Sequence, residues 1–258
     1  MEIKWLGTAG FSIKTKDQVF LIDPYLTRNH KARPKQTLKA SDIKKASQIF
    51  ISHGHFDHLH DIPKIARETK AKVYCSDIAA RTLINSGLDK DQVIIITSNR
   101  WEKEFDGFKA QAFFSEHVKF DRKLLLSTLL KINIRIPKYL PLSKNFPCGQ
   151  VLSWRFYVED RMIHFFGSAG SAEKELKNLT DQPMDLLLVP LQGHSDICNI
   201  AANYVKILKP EIVIPHHQDD FYPPISRQVD IRPFINKVKF ECPDTLIKTM
   251  QINETFNV

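Results

Sequence analysis

Short apolar runs separated by turn residues open the chain. Residues 3–6, 11–14 and 19–22 predict three strands, with turns at Gly7-Thr8-Ala9-Gly10 and Lys16-Asp17. The pattern then alternates. A strand at 49–51 leads to a helix at 61–69, a strand at 72–75, a helix at 77–86, and strands at 93–96 and 108–114. The second half repeats the theme: strands at 151–158 and 162–166 joined at Glu159-Asp160, a helix at 172–178, a strand at 186–189, a helix at 200–208 and a strand at 212–214. A strand-rich opening followed by strand–helix alternation, twice over, predicts an α/β protein whose helices cover its sheets. Two sheets sandwiched between helices use this many strands. Two basic stretches break the alternation. Residues 27–39 read as a loop; residues 119–147 read as an amphipathic insert, either a core helix with a crossover loop or a lid over a membrane or substrate. The whole of 1–258 is read as one domain carrying that insert.

Composition narrows the classes. With 258 residues, 43% hydrophobic and 26% charged, the chain can bury a sizeable core and is neither disordered nor collagenous. No apolar run approaches the roughly 20 residues of a membrane-spanning helix. The opening Met1-Glu2-Ile3-Lys4-Trp5 lacks a basic-then-apolar signal layout. Cys75, Cys148, Cys198 and Cys242 are scattered without a CxxC pair, so they suggest neither a disulfide scaffold nor a thiolate zinc site, and a reduced cytoplasmic setting is expected. The net charge of +8 favours acidic partners without choosing among phosphates, nucleic acid and an anionic membrane surface. It fits a merely soluble surface equally well.

The chemistry concentrates in Ser52-His53-Gly54-His55-Phe56-Asp57-His58, directly after the apolar run at 49–51. Three imidazoles and a carboxylate so close together are too polar for a core, and a strand ending there launches them into a loop at the sheet's C-terminal edge. In an extended loop His53 and His55 can point the same way and grip one ion, while Asp57 and His58, one turn later, can face a second. Neutral imidazole and carboxylate are ligands for Zn²⁺, with Fe and Mn as alternatives. Other histidines also follow strand-like runs: His117 after 113–116, and His216 and His217 after 212–215, of which one neighbour is expected to reach the ion.

His53-Gly54-His55-Phe56-Asp57-His58 resembles the HxHxDH motif of the metallo-β-lactamase-fold hydrolases. The opening Trp5-Leu6-Gly7-Thr8-Ala9-Gly10-Phe11-Ser12-Ile13, with Leu21-Ile22-Asp23-Pro24, is similar to the branch containing the ascorbate-6-phosphate lactonase and N-acylphosphatidylethanolamine phospholipase D. The resemblance runs from Ile3 to about Phe221 and implies a four-layer αββα sandwich with metals in a cleft at the sheet edge. Carried over by position, it places His53, His55 and His117 on a first metal and Asp57, His58 and a late histidine on a second. In that branch the late histidine lies two residues after a proline, which selects His217 and keeps His216 in reserve. Asp23 matches an aspartate that orients a ligand imidazole, although a turn-forming role before Pro24 is equally open.

One position departs from the family. A Gly-Asp pair normally supplies a carboxylate bridging both metals; here Phe165-Phe166-Gly167-Ser168-Ala169-Gly170 puts Ser168 in that place. Losing a shared anion implies one metal, a weakly loaded pair, or compensation by Asp219 or Asp220 beside the late histidine. With metal bound, a water of lowered pKa is the expected nucleophile. Asp57 would orient or deprotonate it, and His194, in Gly193-His194-Ser195-Asp196, could donate to substrate or leaving group. Ser195 and Asp196 also read simply as a helix start. Arg28, Lys31, Arg33 and Lys35 could overhang the cleft, so a negatively charged small-molecule or lipid-like substrate is expected. The leading reading is therefore a metal-dependent hydrolase of an ester, lactone or phosphodiester bond. The alternatives are a nucleic-acid-processing metallo-nuclease and a non-catalytic binding protein that lost the bridging aspartate. A homo-oligomer is compatible with the chain.

Overall fold

The computed structural model describes residues 1–16, 18–122 and 144–258. Strands β1 (Glu2–Gly7), β2 (Gly10–Lys14) and β3 (Val19–Ile22) pair antiparallel in chain order. From β3 onward the pairing is parallel, through β4 (Gln48–Phe50), β5 (Lys72–Cys75) and β6 (Val93–Ile95). Parallel neighbours need crossovers; helices α2 (Ile62–Thr69) and α3 (Asp77–Asn85) supply those from β4 to β5 and from β5 to β6. Strand β14 (Thr255–Asn257), from the other end of the chain, pairs with β1 and completes a seven-stranded sheet ordered β14-β1-β2-β3-β4-β5-β6.

The second sheet repeats the plan. Strands β7 (Trp101–Phe105), β8 (Phe108–Ser115), β9 (Val151–Val158) and β10 (Arg161–Phe166) form an antiparallel meander. Strands β11 (Leu186–Pro190), β12 (Ile212–His216) and β13 (Leu246–Ile247) then add in parallel. Helices α4 (Glu173–Lys177), α5 (Ile197–Leu208) and α6 (Arg232–Glu241) accompany this half. The resulting order is β13-β12-β11-β10-β9-β8-β7.

Period-two alternation distributes the apolar side chains over three layers. Phe11, Phe20 and Phe50 of the first sheet meet Trp154, Phe156 and Phe165 of the second. Leu21, Ile49 and Val73 face outward onto Ile62, Ile65 and Leu83 of α2 and α3. On the other side Leu187, Val189 and Val213 meet Ala201, Val205 and Phe234 of α5 and α6. This is the expected αββα sandwich.

Four elements escape the hydrophobic pattern. Strand β7 holds charged Glu102-Lys103-Glu104 between its aromatic ends, as an edge strand can, and so reads as polar. Helix α6 and the short strands β13 and β14 lie in a C-terminal region with no strong apolar run. Helix α5 also begins at Ile197, three residues before its predicted start at 200. Most of the 119–147 insert, residues 123–143, lies outside the described residues.

The sheets are tied together where β4 ends. Trp154 Nε1 donates to the Ile51 carbonyl at 3.1 Å, and Leu152 N donates to the Ser52 carbonyl at 2.7 Å. Replacing Trp154 by Phe keeps most of the apolar bulk but orphans a buried carbonyl. The expected loss is about 1–3 kcal/mol, read as a lowered urea midpoint with an unchanged slope.

Candidate metal centre

The histidine motif begins where the first sheet runs out of pairing partners. Ile51 N still donates to the Tyr74 carbonyl at 2.9 Å; Ser52 to His55 then leave the sheet in extended form and turn into α1 (Phe56–Leu59). Gly54 is required here. A Cβ at that position would lie 2.0 Å from the Pro147 carbonyl oxygen, and Gly54 N donates to the Cys148 carbonyl at 2.8 Å. The backbone before β9 therefore packs directly against the motif.

Two groups of donors result. The ligand atoms of His53, His55, His117 and Cys148 lie within 4.8 Å of one another, as do those of Asp57, His58 and His217. The groups adjoin, with the His53 and His58 ring centroids 3.9 Å apart. Two nitrogens bound tetrahedrally to one zinc stand roughly 3.3 Å apart. His53 Nε2 and His55 Nδ1 are separated by 3.1 Å. Asp57 Oδ2 is 3.2 Å from His217 Nε2 and 3.6 Å from His58 Nε2. Donor type and spacing both fit divalent ions.

Surrounding groups aim the rings. Asp23, fully buried at the end of β3, accepts from Ser52 N at 2.7 Å, from the Ser52 hydroxyl, and from His58 Nδ1 at 2.6 Å. His58 Nε2 is thereby left to face Asp57. With its proton on Asp23, Ser52 Oγ accepts from His53 Nδ1 at 3.0 Å, leaving His53 Nε2 for the first group. His117 Nδ1 donates to the Val118 carbonyl at 2.8 Å, so its Nε2 is the available nitrogen. His53, His58 and His117 are thus each oriented by an outer partner.

His217 is held from the opposite end of the chain. Its φ is +62°, and its backbone N–H donates to the Thr8 carbonyl at 2.9 Å. Thr8 N donates in turn to Asp219, whose carboxylate is also paired with Arg28; Arg28 Nη2 donates to Thr8 Oγ1 at 2.7 Å.

Burial sets the charges. Desolvation, with help from the other imidazoles, keeps His53, His117 and His217 below the ordinary histidine range and lowers His55 to about 4. These rings are neutral at pH 7 and offer lone pairs. Burial alone would raise the Asp57 carboxyl, but His58 and the hydrogen bond from His217 hold it well below the usual carboxylate range. Burial would likewise lower His58, yet Asp23 and Asp57 outweigh it and raise that ring.

Other predicted residues lie elsewhere. His216 points between the sheets, stacked 5.2 Å from Phe165 and edge-on to Phe11, and does not join the donors; His217 does. Ser168 Oγ accepts from Val118 N at 2.9 Å. Asp219 serves Thr8 and Arg28, and Asp220 accepts from the Ser226 hydroxyl, so neither carboxylate compensates for Ser168. Arg28 does not overhang the cleft as an unpaired cation, because its guanidinium is buried on Asp219 and Thr8; Lys31 is exposed. His194 lies beside the loop after β8, accepting from Asp196 N at 3.0 Å and standing 3.4 Å from Asp121.

Two residues at the site carried no signal of their own. Cys148, read as one of four scattered cysteines, joins the first donor group. Tyr25 is buried against Phe56 and Phe221, and burial together with Asp57 and Asp61 raises its hydroxyl. Position alone hinted at them: Tyr25 two residues after Asp23, Cys148 just before β9.

A two-sheet sandwich with paired imidazole and carboxylate donors at the strand ends defines a class, the metallo-β-lactamase-fold proteins. Residues 2–217 match the profile of the beta-lactamase superfamily domain, and the chain belongs to that family. A UPF0173 metal-dependent hydrolase of Thermococcus onnurineus is 28% identical over 228 residues, covering 88% of each chain. One of Listeria monocytogenes is 28% identical over 230 residues, covering 86% of each. The metallo hydrolase Igni18 of Ignicoccus hospitalis shares the fold with a TM-score of 0.72 and 21% identity, over 100% of this chain and 98% of that one. By family and donor set the protein is an enzyme of the metal-dependent hydrolase class.

Asp23→Asn should leave the fold intact but put an amide against His58 Nδ1. Metal affinity should fall about 10–100-fold in a chelator-competition titration. For the metal-free protein, rings with depressed pKa make the unfolded state bind more protons between about 4 and 6.5. His58, raised instead, contributes with the opposite sign, but it is one ring against four. Stability should therefore fall as pH drops across that window, seen as a lower urea midpoint at pH 5 than at pH 7.

Proposed function

We propose that the protein hydrolyses an ester, lactone or phosphodiester bond of an anionic small-molecule or lipid-like substrate, using divalent ions held by the two donor groups. The observation that carries this reading is their adjacency at one sheet edge, with donor separations suited to metal. His53, His55 and His117 would hold one ion, and Asp57, His58 and His217 the other. Zinc suits this mixture of imidazole and carboxylate, with Mn and Fe as alternatives. An ion held there would supply a water of pKa lowered toward about 7 and a Lewis acid for an oxygen of the scissile bond.

The chain's own groups do the rest. Asp57, held ionised among His58 and His217, would orient that water and take its proton. Asp23 positions His58 by accepting its Nδ1 proton. His194 is our candidate donor to the leaving group, from the loop after β11. The anionic character of the substrate is supported by exposed Lys31 and the charge of +8. A cavity beside His117 is lined in part by Glu116, Gln150 and Glu175. Four free cysteines fit a reducing, cytoplasmic setting, and among the described residues no helix is long and apolar enough to cross a membrane.

Ser168 favours a second reading, a non-catalytic binding protein, because no carboxylate stands between the groups in its place. Metal content per chain, measured on protein purified without chelator, separates the two. Near two ions, with turnover of phosphodiester or lactone substrates, supports the hydrolase; none after zinc is offered back overturns it. His55→Ala should lower the metal content, by loss of the ion at the first group, and abolish hydrolysis while the circular dichroism spectrum stays unchanged. If position 168 corresponds to the family's bridging aspartate, Ser168→Asp should raise occupancy of the second ion, and an unchanged metal content would overturn that correspondence.

A further inference from the structure

Of the four cysteines in the chain, Cys148 alone has its sulfur among metal donors. Its ligand atom lies within 4.8 Å of those of His53, His55 and His117. That approach is built into the backbone. Gly54 N donates to the Cys148 carbonyl at 2.8 Å, and any side chain at position 54 would collide with the Pro147 carbonyl. The segment before β9 can reach the imidazoles because the motif's central residue is glycine. The charge balance points the same way. Three neutral imidazoles bring no negative charge to a dication, Ser168 brings none, and Asp219 and Asp220 are engaged elsewhere.

We infer that Cys148 Sγ is the fourth protein donor to the ion held by His53, His55 and His117, supplying as thiolate the anionic charge that position 168 does not. The inference rests on the metal-dependent reading above and extends it. As the metal–sulfur bond forms, the thiol proton passes to solvent. Three nitrogens and one sulfur complete a tetrahedral set and favour a thiophilic ion such as Zn²⁺ over Mn²⁺.

Cobalt(II) substitution tests this without reference to activity. The full chain loaded with cobalt should show an intense near-ultraviolet sulfur-to-cobalt charge-transfer band together with visible ligand-field bands of tetrahedral type. Cys148→Ser and Cys148→Ala should lose the charge-transfer band while keeping ligand-field absorption from the three histidines. Their zinc affinity should fall by more than about tenfold, since even outer-shell changes cost that much. Cobalt bound by the unsubstituted protein without a sulfur band overturns the Cys148 assignment alone. A band that persists in Cys148→Ser overturns it as well, by assigning the sulfur elsewhere. No cobalt bound in any form overturns the metal reading and this inference together.

Discussion

A carboxylate removed from water at the end of β3 organises the site. Asp23 is fully buried and has three donors on it: the Ser52 backbone and hydroxyl, and His58 Nδ1. A buried charge is tolerable only when it is paired and hydrogen-bonded, so these partners cannot be dispensed with singly. Through Ser52 the same carboxylate also settles which nitrogen of His53 faces the metal donors. Its backbone, at φ +42°, occupies the left-handed region that aspartate tolerates better than most residues. Gly167 gives the network room, since a Cβ there would lie 2.0 Å from Ser52 Oγ and 3.1 Å from Asp23 Oδ2. One residue at one strand end thus couples the first sheet, the histidine motif and the loop after β10.

Charge distribution around the two donor groups is uneven. The second has a carboxylate of its own in Asp57, kept ionised by two imidazoles. The first has three uncharged rings. A dication needs a counter-charge when water is excluded. Among the described residues the thiol of Cys148, from the segment before β9, lies within 4.8 Å of those three ligand atoms.

Chain topology supplies the remaining donors. Parallel strands β11 and β12 deliver His217 from the second sheet, while the Thr8 turn of the first sheet fixes its backbone. The Arg28–Asp219 pair is buried against that turn and stiffens it. The cation read as a substrate contact is therefore part of the scaffold, whereas Lys31, on the same loop, stays exposed.

Much of this was legible in the chain itself. Apolar alternation located the strands from β1 to β6 and from β8 to β12, because burial on one face or both leaves a periodic trace. The histidine motif was legible because its donors are adjacent in sequence and its side chains are unsuited to a core. Strand β7, with charges between its aromatic ends, and the brief β13 and β14 left no such trace. Strand patterning did not separate His216 from His217, and only the resemblance favoured His217; the backbone at the end of β12 sends one ring onto Phe165 and the other to Asp57. The roles of Arg28, Asp219 and Cys148 were likewise decided only in three dimensions. Local periodicity records which face of a strand is buried; it does not record which distant loop arrives beside that strand's end, and metal donors and counter-charges are assembled across such distances.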